Sequence, residues 1–142
     1  MKVTKEITFD SAHMLSDYQG QCHNLHGHTY KLQVTLEGDV QKTGNEECMV
    51  MDFNTLKGYL NSIVNSFDHA IIFSAPAFRS EAEEELHIWA DKYDMDYVEV
   101  YGKSTSENIA STIKDRLREI LGTDAYHISI RLWETPTSFV EV

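Results

Sequence analysis

Hydrophobic and polar residues alternate in two stretches near the N-terminus of the chain. In residues 3–10 the apolar side chains fall on one face and the polar ones on the other, and residues 28–37 repeat this pattern more regularly. A period of two is typical of a β-strand with one buried face. The sequence therefore predicts two strands, whose inward faces carry Val3, Ile7 and Phe9 in the first and Tyr30, Leu32, Val34 and Leu36 in the second.

Three later segments have the apolar spacing and the starting residues of α-helices. Asp52 is a common N-cap residue, and two serines are each followed three residues later by glutamate, which is the pattern of a capping box. The second helix opens on the run Glu83–Glu85, which we expect to be solvated. The three predicted helices begin after Asp52, Ser80 and Ser104 and end near Phe67, Tyr93 and Gly122.

Shorter stretches complete the predicted order of elements. Residues 97–101 and 127–134 have the composition of strands, a last short strand follows Pro136, and the apolar run 70–73 is of extended character. The order is strand, strand, helix, helix, strand, helix, strand. It predicts an α+β fold in one domain over residues 1–142, with a largely antiparallel, four-stranded sheet and helices on one face.

Composition and charge narrow the classes of partner. The 142 residues include 12 basic and 23 acidic side chains, giving a formal net charge of −11. An acidic surface repels nucleic acid and anionic lipid, but a metal ion can still attract a phosphorylated small molecule. Two cysteines make no disulfide framework, and no segment has the pattern of a signal peptide or membrane span. We expect a cytoplasmic protein that binds neither nucleic acid nor membrane.

Three histidines have positions that suit a shared metal ion. His26 and His28 stand two residues apart at the start of the second strand, so both point to the side of Tyr30. His13 has the parity of Phe9 at the end of the first strand. If the two strands pair, three imidazoles converge and leave one position open, which is the usual pattern of catalytic zinc. The alternative is that each is an ordinary loop or strand histidine.

Four further side chains are candidates for chemistry, each with a structural alternative. Cys22 lies four residues before His26, where a cation would lower its pKa and make it a base or nucleophile, or it is simply a loop cysteine. Asp68 can orient His69, unless that histidine only interacts with a helix end. Glu134 has the parity of the apolar face and fits the donor pair of a pterin ring, unless it turns to solvent.

The order of motifs resembles the 6-pyruvoyl-tetrahydropterin synthase and 6-carboxytetrahydropterin synthase family. The matching segments run from one end of the chain to the other, and no single one is specific by itself. They are F-D-S-A-H at Phe9 to His13, C-x-x-x-H-G-H at Cys22 to His28, Asp68-His69, T-S-E-N at Thr105 to Asn108, and W-E-T-P at Trp133 to Pro136.

The resemblance implies a role for each candidate residue. Cys22 would be the catalytic base, Asp68 and His69 a proton relay, and Glu134 the anchor of the pterin ring. Glu107 would assist Glu134, although it is also the far half of the possible capping box from Ser104. The zinc ligands would be His13, His26 and His28. The fold would be the tunnelling fold, in which trimeric barrels stack into a homohexamer with active sites at subunit interfaces.

The spacing within the second motif bears on the reaction. Three residues separate Cys22 from His26, as in bacterial 6-carboxytetrahydropterin synthases of queuosine biosynthesis. The implied reaction converts 7,8-dihydroneopterin triphosphate to 6-carboxytetrahydropterin, acetaldehyde and triphosphate. Ser104 replaces a common proline, and residues 74–96 are longer than in compact members. The alternatives are a pyruvoyl-tetrahydropterin synthase and a non-catalytic pterin- or zinc-binding module.

Overall fold

A six-stranded sheet frames the chain in the computed structural model, which describes residues 1–122 and 125–142. Within these residues three α-helices and two short 3-10 turns connect the strands. The strands are β1 (Lys2–His13), β2 (His26–Glu37), β3 (Ala70–Ser74), β4 (Tyr97–Val100), β5 (His127–Thr135) and β6 (Ser138–Glu141). The helices are α1 (Phe53–Val64), α2 (Glu81–Lys92) and α3 (Ser106–Leu121).

The register of β1 and β2 positions the candidate site. These two strands pair antiparallel along their full length, from Lys2 opposite Glu37 to His13 opposite His26. Directly opposed residues have their side chains on the same face of the sheet. The last residue of β1 and the first of β2 therefore present their imidazoles side by side at one end of the sheet.

The core lies between one face of the sheet and two helices. The inward side chains of β1, β2 and β5 pack against α1 and α3, as the two alternating patterns predict. The largest completely buried side chains of this core are Phe9, Tyr30, Leu32, Leu36, Leu56, Leu60, Phe67, Ile72, Ile109, Ile113 and Leu117.

None of the described helices is both long and apolar enough to cross a bilayer.

The prediction of four strands is wrong, because the sheet has six. The order is β4-β3-β1-β2-β5-β6, and the sheet is mixed because β3 runs parallel to both β1 and β4. β3 is the apolar run from Ala70, whose residues are buried on both faces and therefore do not alternate. β3, α2 and β4 form a crossover unit, which is the connection that parallel strands need.

The prediction that all helices lie on one face also fails for α2. Ile72 and Val98 belong to the core, whereas Phe73 and Tyr97, which alternate with them, contact His87 of α2. Since successive strand residues point to opposite faces, α2 covers the other face of the sheet near β3 and β4. The prediction of a solvated run Glu83–Glu85 is wrong only for Glu83, which is completely buried, since Glu84 and Glu85 are exposed.

Two of the three predicted helix starts are confirmed. The Asp52 carboxylate accepts from two backbone N–H groups, and Ser80 accepts from the N–H of Glu83. The third start is shifted by one residue, since Thr105 rather than Ser104 is the N-cap of α3. Glu107 is therefore not the partner of Ser104 in a capping box. Gly122 follows α3 with φ of 82°, a conformation that suits glycine.

Candidate metal centre and active site

Three imidazole rings meet at the end of β1 and the start of β2. The ring centroid of His13 lies 4.6 Å from that of His26 and 5.3 Å from that of His28, and the latter two rings are 4.9 Å apart. One ring nitrogen of each residue lies within 4.8 Å of the other two. The parity argument thus places the three rings correctly, and the β1–β2 register supplies the contact between them.

The hydrogen bonds of these rings leave three nitrogens available for a cation. His13 Nδ1 donates to the Ser104 carbonyl at 2.7 Å, and His26 Nδ1 donates to the Asn24 carbonyl at 2.8 Å. The Nε2 atoms of all three histidines are buried and have no hydrogen-bond partner among the described residues. Buried polar atoms are normally paired, so three orphaned nitrogens facing one another fit a divalent metal ion.

Burial also favours the neutral, metal-binding form of these rings. Desolvation is the main cause that lowers the pKa of His13, whose side chain is 1% exposed, and the same effect lowers the pKa of His28. The hydrogen bond to Ser104 and the charge of Glu134 oppose this shift without cancelling it. Only a deprotonated imidazole nitrogen can bind a metal, so the lowered pKa values of His13 and His28 favour the form that binds it.

The Glu134 carboxylate lies beside the three histidines. Its Oε1 atom is 3.6 Å from His13 Nε2 and 3.9 Å from His28 Nε2, and it accepts a hydrogen bond from Ser106 Oγ at 2.9 Å. The side chain is 32% exposed, so part of the carboxylate remains accessible to a ligand. Glu134 therefore points toward the site, as its strand parity predicts, and can meet a molecule that also reaches the metal position.

Cys22, Glu107 and Glu134 line one cavity of about 360 Å³. Cys22 is half-buried in the 3-10 turn Gln21–His23, which follows the loop after β1. Thr105, Ser106 and Phe139 are among the other residues that line this cavity. A thiol and two carboxylates around one cavity next to three imidazoles can support proton transfer on a bound small molecule.

Asp68 and His69 contact each other, and the His69 imidazole lines a different groove from Cys22. His69 Nδ1 is 3.0 Å from Asp68 Oδ2, and the imidazole lines a groove of about 450 Å³ that also contains His28. The N–H of Asp10 is the main cause that lowers the pKa of the Asp68 carboxyl, with His69 adding to it. The side chain of His69 is 79% exposed. The imidazole of His69 is therefore accessible from the solvent.

Two residues of the site were missed by the sequence reasoning. The hydroxyl of Tyr30 is buried beside His13 and His28 and has no partner among the described residues. Its burial, and next the charge of Glu134, raise the pKa of this phenol, so it stays protonated and able to donate. Tyr30 lies two residues after His28 on the same face of β2, and this spacing could have identified it from the sequence. Ser104 is the second missed residue. It contacts His13 across 91 positions of the chain, so no local sequence pattern indicates this contact.

These features define a class of protein, a small α+β domain in which three histidines that could hold a metal ion lie beside a cavity lined by a thiol and two carboxylates. The family model described as 6-pyruvoyl tetrahydropterin synthase matches residues 2–142. A relative from Haemophilus influenzae named 6-carboxy-5,6,7,8-tetrahydropterin synthase is 42% identical over 143 residues, covering 99% of this chain and 96% of its own. The chain belongs to the 6-pyruvoyl tetrahydropterin synthase family.

Other comparisons agree with the family and with the fold. A Pyrococcus abyssi protein named putative 6-carboxy-5,6,7,8-tetrahydropterin synthase is 36% identical over 148 residues, covering 98% of this chain and 86% of its own. Among solved structures, 6-pyruvoyl tetrahydropterin synthase of Plasmodium falciparum gives a TM-score of 0.73 at 24% identity, covering 100% and 96% of the two chains. An uncharacterized Wolinella succinogenes protein gives 0.79 at 24% identity, covering 100% and 97%. At this identity the structures support the fold alone.

Proposed function

We propose that the protein is a zinc-dependent lyase that converts 7,8-dihydroneopterin triphosphate and water to 6-carboxytetrahydropterin, acetaldehyde and triphosphate. The observation that carries this proposal is the set of three orphaned Nε2 atoms on His13, His26 and His28 beside Cys22 and Glu134. The names of the relatives and the three-residue spacing between Cys22 and His26 favour the carboxy product over the pyruvoyl product. The reaction would belong to queuosine biosynthesis.

The proposed reaction assigns one task to each residue. Zinc held by the three imidazoles would act as a Lewis acid toward the side-chain hydroxyls of the substrate. The Glu134 carboxylate accepts from the 2-amino group and N3–H of the pterin, and Glu107 lies in the same cavity to assist it. Cys22 Sγ removes a proton from the substrate side-chain carbon next to these hydroxyls. His69, oriented by Asp68 through Nδ1, keeps Nε2 free to move protons as the double bond shifts.

The separation of Cys22 from His69 favours an oligomer. These residues line different cavities of one protomer, so a shared site needs His69 from a neighbouring copy. β4 and β6 are the edge strands of the sheet, and edge strands offer unpaired backbone groups for pairing with another chain. We propose that the protein forms barrels of three subunits that stack into a homohexamer and place the site between subunits.

The test is a product analysis with the metal present and removed. The zinc-loaded protein is incubated with 7,8-dihydroneopterin triphosphate, and acetaldehyde, pterin products and triphosphate are measured by mass spectrometry. We expect all three products, and their loss after chelation with recovery when zinc is restored. A pyruvoyl product without acetaldehyde would assign the chain to the alternative lyase. Binding of the substrate without triphosphate release would identify a non-catalytic pterin-binding module.

A further inference from the structure

A completely buried carboxylate lies in the first turn of α2. Glu83 has no exposed surface, although its neighbours Glu81, Glu84 and Glu85 are exposed. Its Oε1 atom accepts from the backbone N–H of Ser74 at 2.7 Å, and Oε2 accepts from Ser16 Oγ. A buried carboxylate is costly unless such donors satisfy it, so its position depends on these two contacts.

The contact with Ser16 connects α2 to the loop that follows β1. The Ser80 N–H donates to Ser16 Oγ at 2.8 Å, so this hydroxyl stands between the two halves of the expected capping box, Ser80 and Glu83. Lys103 Nζ donates to the Ser16 carbonyl at 2.7 Å. Ser16, held by Glu83, thereby connects the loop after β1 to the start of α2 and to the segment before α3.

The contact with Ser74 continues to the metal centre. The Ser104 N–H donates to Ser74 Oγ at 3.0 Å, and Ser104 Oγ donates to the Met14 carbonyl at 2.8 Å. The Ser104 carbonyl then accepts from His13 Nδ1 at 2.7 Å. All of Glu83, Ser74, Ser104 and His13 are buried. Two serines therefore connect the buried carboxylate of α2 to an imidazole of the candidate metal centre.

We propose that Glu83 is a positioning residue for His13, acting through Ser74 and Ser104. The carboxylate fixes the end of β3, Ser74 fixes the backbone of Ser104, and the Ser104 carbonyl holds the Nδ1 proton of His13. This arrangement leaves Nε2 unprotonated and aimed at the other two imidazoles. Groups that orient a ligand in this way raise metal affinity because the ligand is held in its binding geometry.

The proposal rests on the proposed function only in that the histidines bind a divalent metal. It gives α2, which lies within residues 74–96, a task at the active site. A purely structural role for Glu83 would be to stabilise α2 and the loop after β1. The two roles differ in their prediction for metal affinity, because only the positioning role connects α2 to His13.

The experiment compares Glu83→Ala with Glu85→Ala, an exposed position on the same helix with no ion pair among the described residues. The dissociation constant for zinc is measured by competition with a chromophoric chelator, and the visible spectrum of the cobalt-loaded protein is recorded. Thermal unfolding of the metal-free proteins is followed in parallel. We expect Glu83→Ala to weaken zinc binding about tenfold or more and to shift the cobalt bands, with Glu85→Ala like the wild type.

Conservative variants separate positioning from folding. Glu83→Gln keeps an oxygen that accepts from the Ser74 N–H, so it should recover most of the zinc affinity. Ser74→Ala removes only the acceptor of the Ser104 N–H and should weaken zinc binding in the same direction, which keeps the test valid if Glu83→Ala does not fold.

Unchanged zinc affinity and cobalt spectra in the folded variants, with a lower melting temperature alone, would overturn the proposal. Failure of the wild-type protein to bind zinc or cobalt would overturn both this proposal and the proposed function.

Discussion

Replacing His28 with alanine is expected to reduce stoichiometric zinc to a trace and to abolish triphosphate release. His28 supplies one of three orphaned Nε2 atoms, and two imidazoles do not hold zinc against a chelating buffer. Its side chain is 18% exposed and lies at the end of the sheet, so its removal leaves the core between the sheet and α1 and α3 intact. Zinc is measured by plasma mass spectrometry after gel filtration, and folding by circular dichroism.

His127→Ala is the matched control for this loss. His127 is an exposed histidine at the start of β5, at the other end of β2 from the metal centre. It should keep full zinc occupancy and full activity. Undiminished zinc in a folded His28→Ala protein would refute the assignment of His28 as a ligand.

Replacing Cys22 with alanine is expected to leave zinc bound and to lower turnover by about 10²- to 10⁴-fold, the usual contribution of a general base. Cys22 lines the cavity with Glu107 and Glu134, whereas the three imidazoles supply the metal ligands without it. Steady-state kinetics and metal content are measured on the same preparation. Cys48→Ala is the control because Cys48 is exposed in the loop before α1, and it should retain wild-type turnover.

Mixed oligomers test the proposal that the site lies between subunits. Cys22→Ala and His69→Ala chains, unfolded and refolded together, should show more activity than either variant because some interfaces then contain both intact residues. Each variant refolded alone should keep its own low turnover. Full turnover by Cys22→Ala on its own would remove the thiol from the mechanism.

Much of the site was accessible from the sequence because it depends on strand parity. His13, His26 and His28 share the face of Phe9 and Tyr30, and a period of two fixes the direction of each side chain once the strand is recognised. The antiparallel register then brings His13 opposite His26. Glu134 follows the same rule on β5. Local pattern was sufficient here since the strands are long and one face is buried.

The remaining features depend on contacts between distant segments. β3 has five residues and β4 has four, which is too short for alternation to reveal pairing partners or direction. Glu83 carries the sequence signature of a solvated helix start, and its burial follows from Ser16 and Ser74. α3 begins after Thr105 rather than after Ser104 because Ser104 forms hydrogen bonds with Met14 and His13. No local rule reports such contacts.

Zinc K-edge X-ray absorption on the metal-loaded protein addresses the metal centre itself. Three imidazole nitrogens and one exchangeable oxygen at about 2.0–2.1 Å are the predicted first coordination shell. A sulfur scatterer at about 2.3 Å, which would make Cys22 a ligand, or a shell of oxygens without imidazole, would contradict the account.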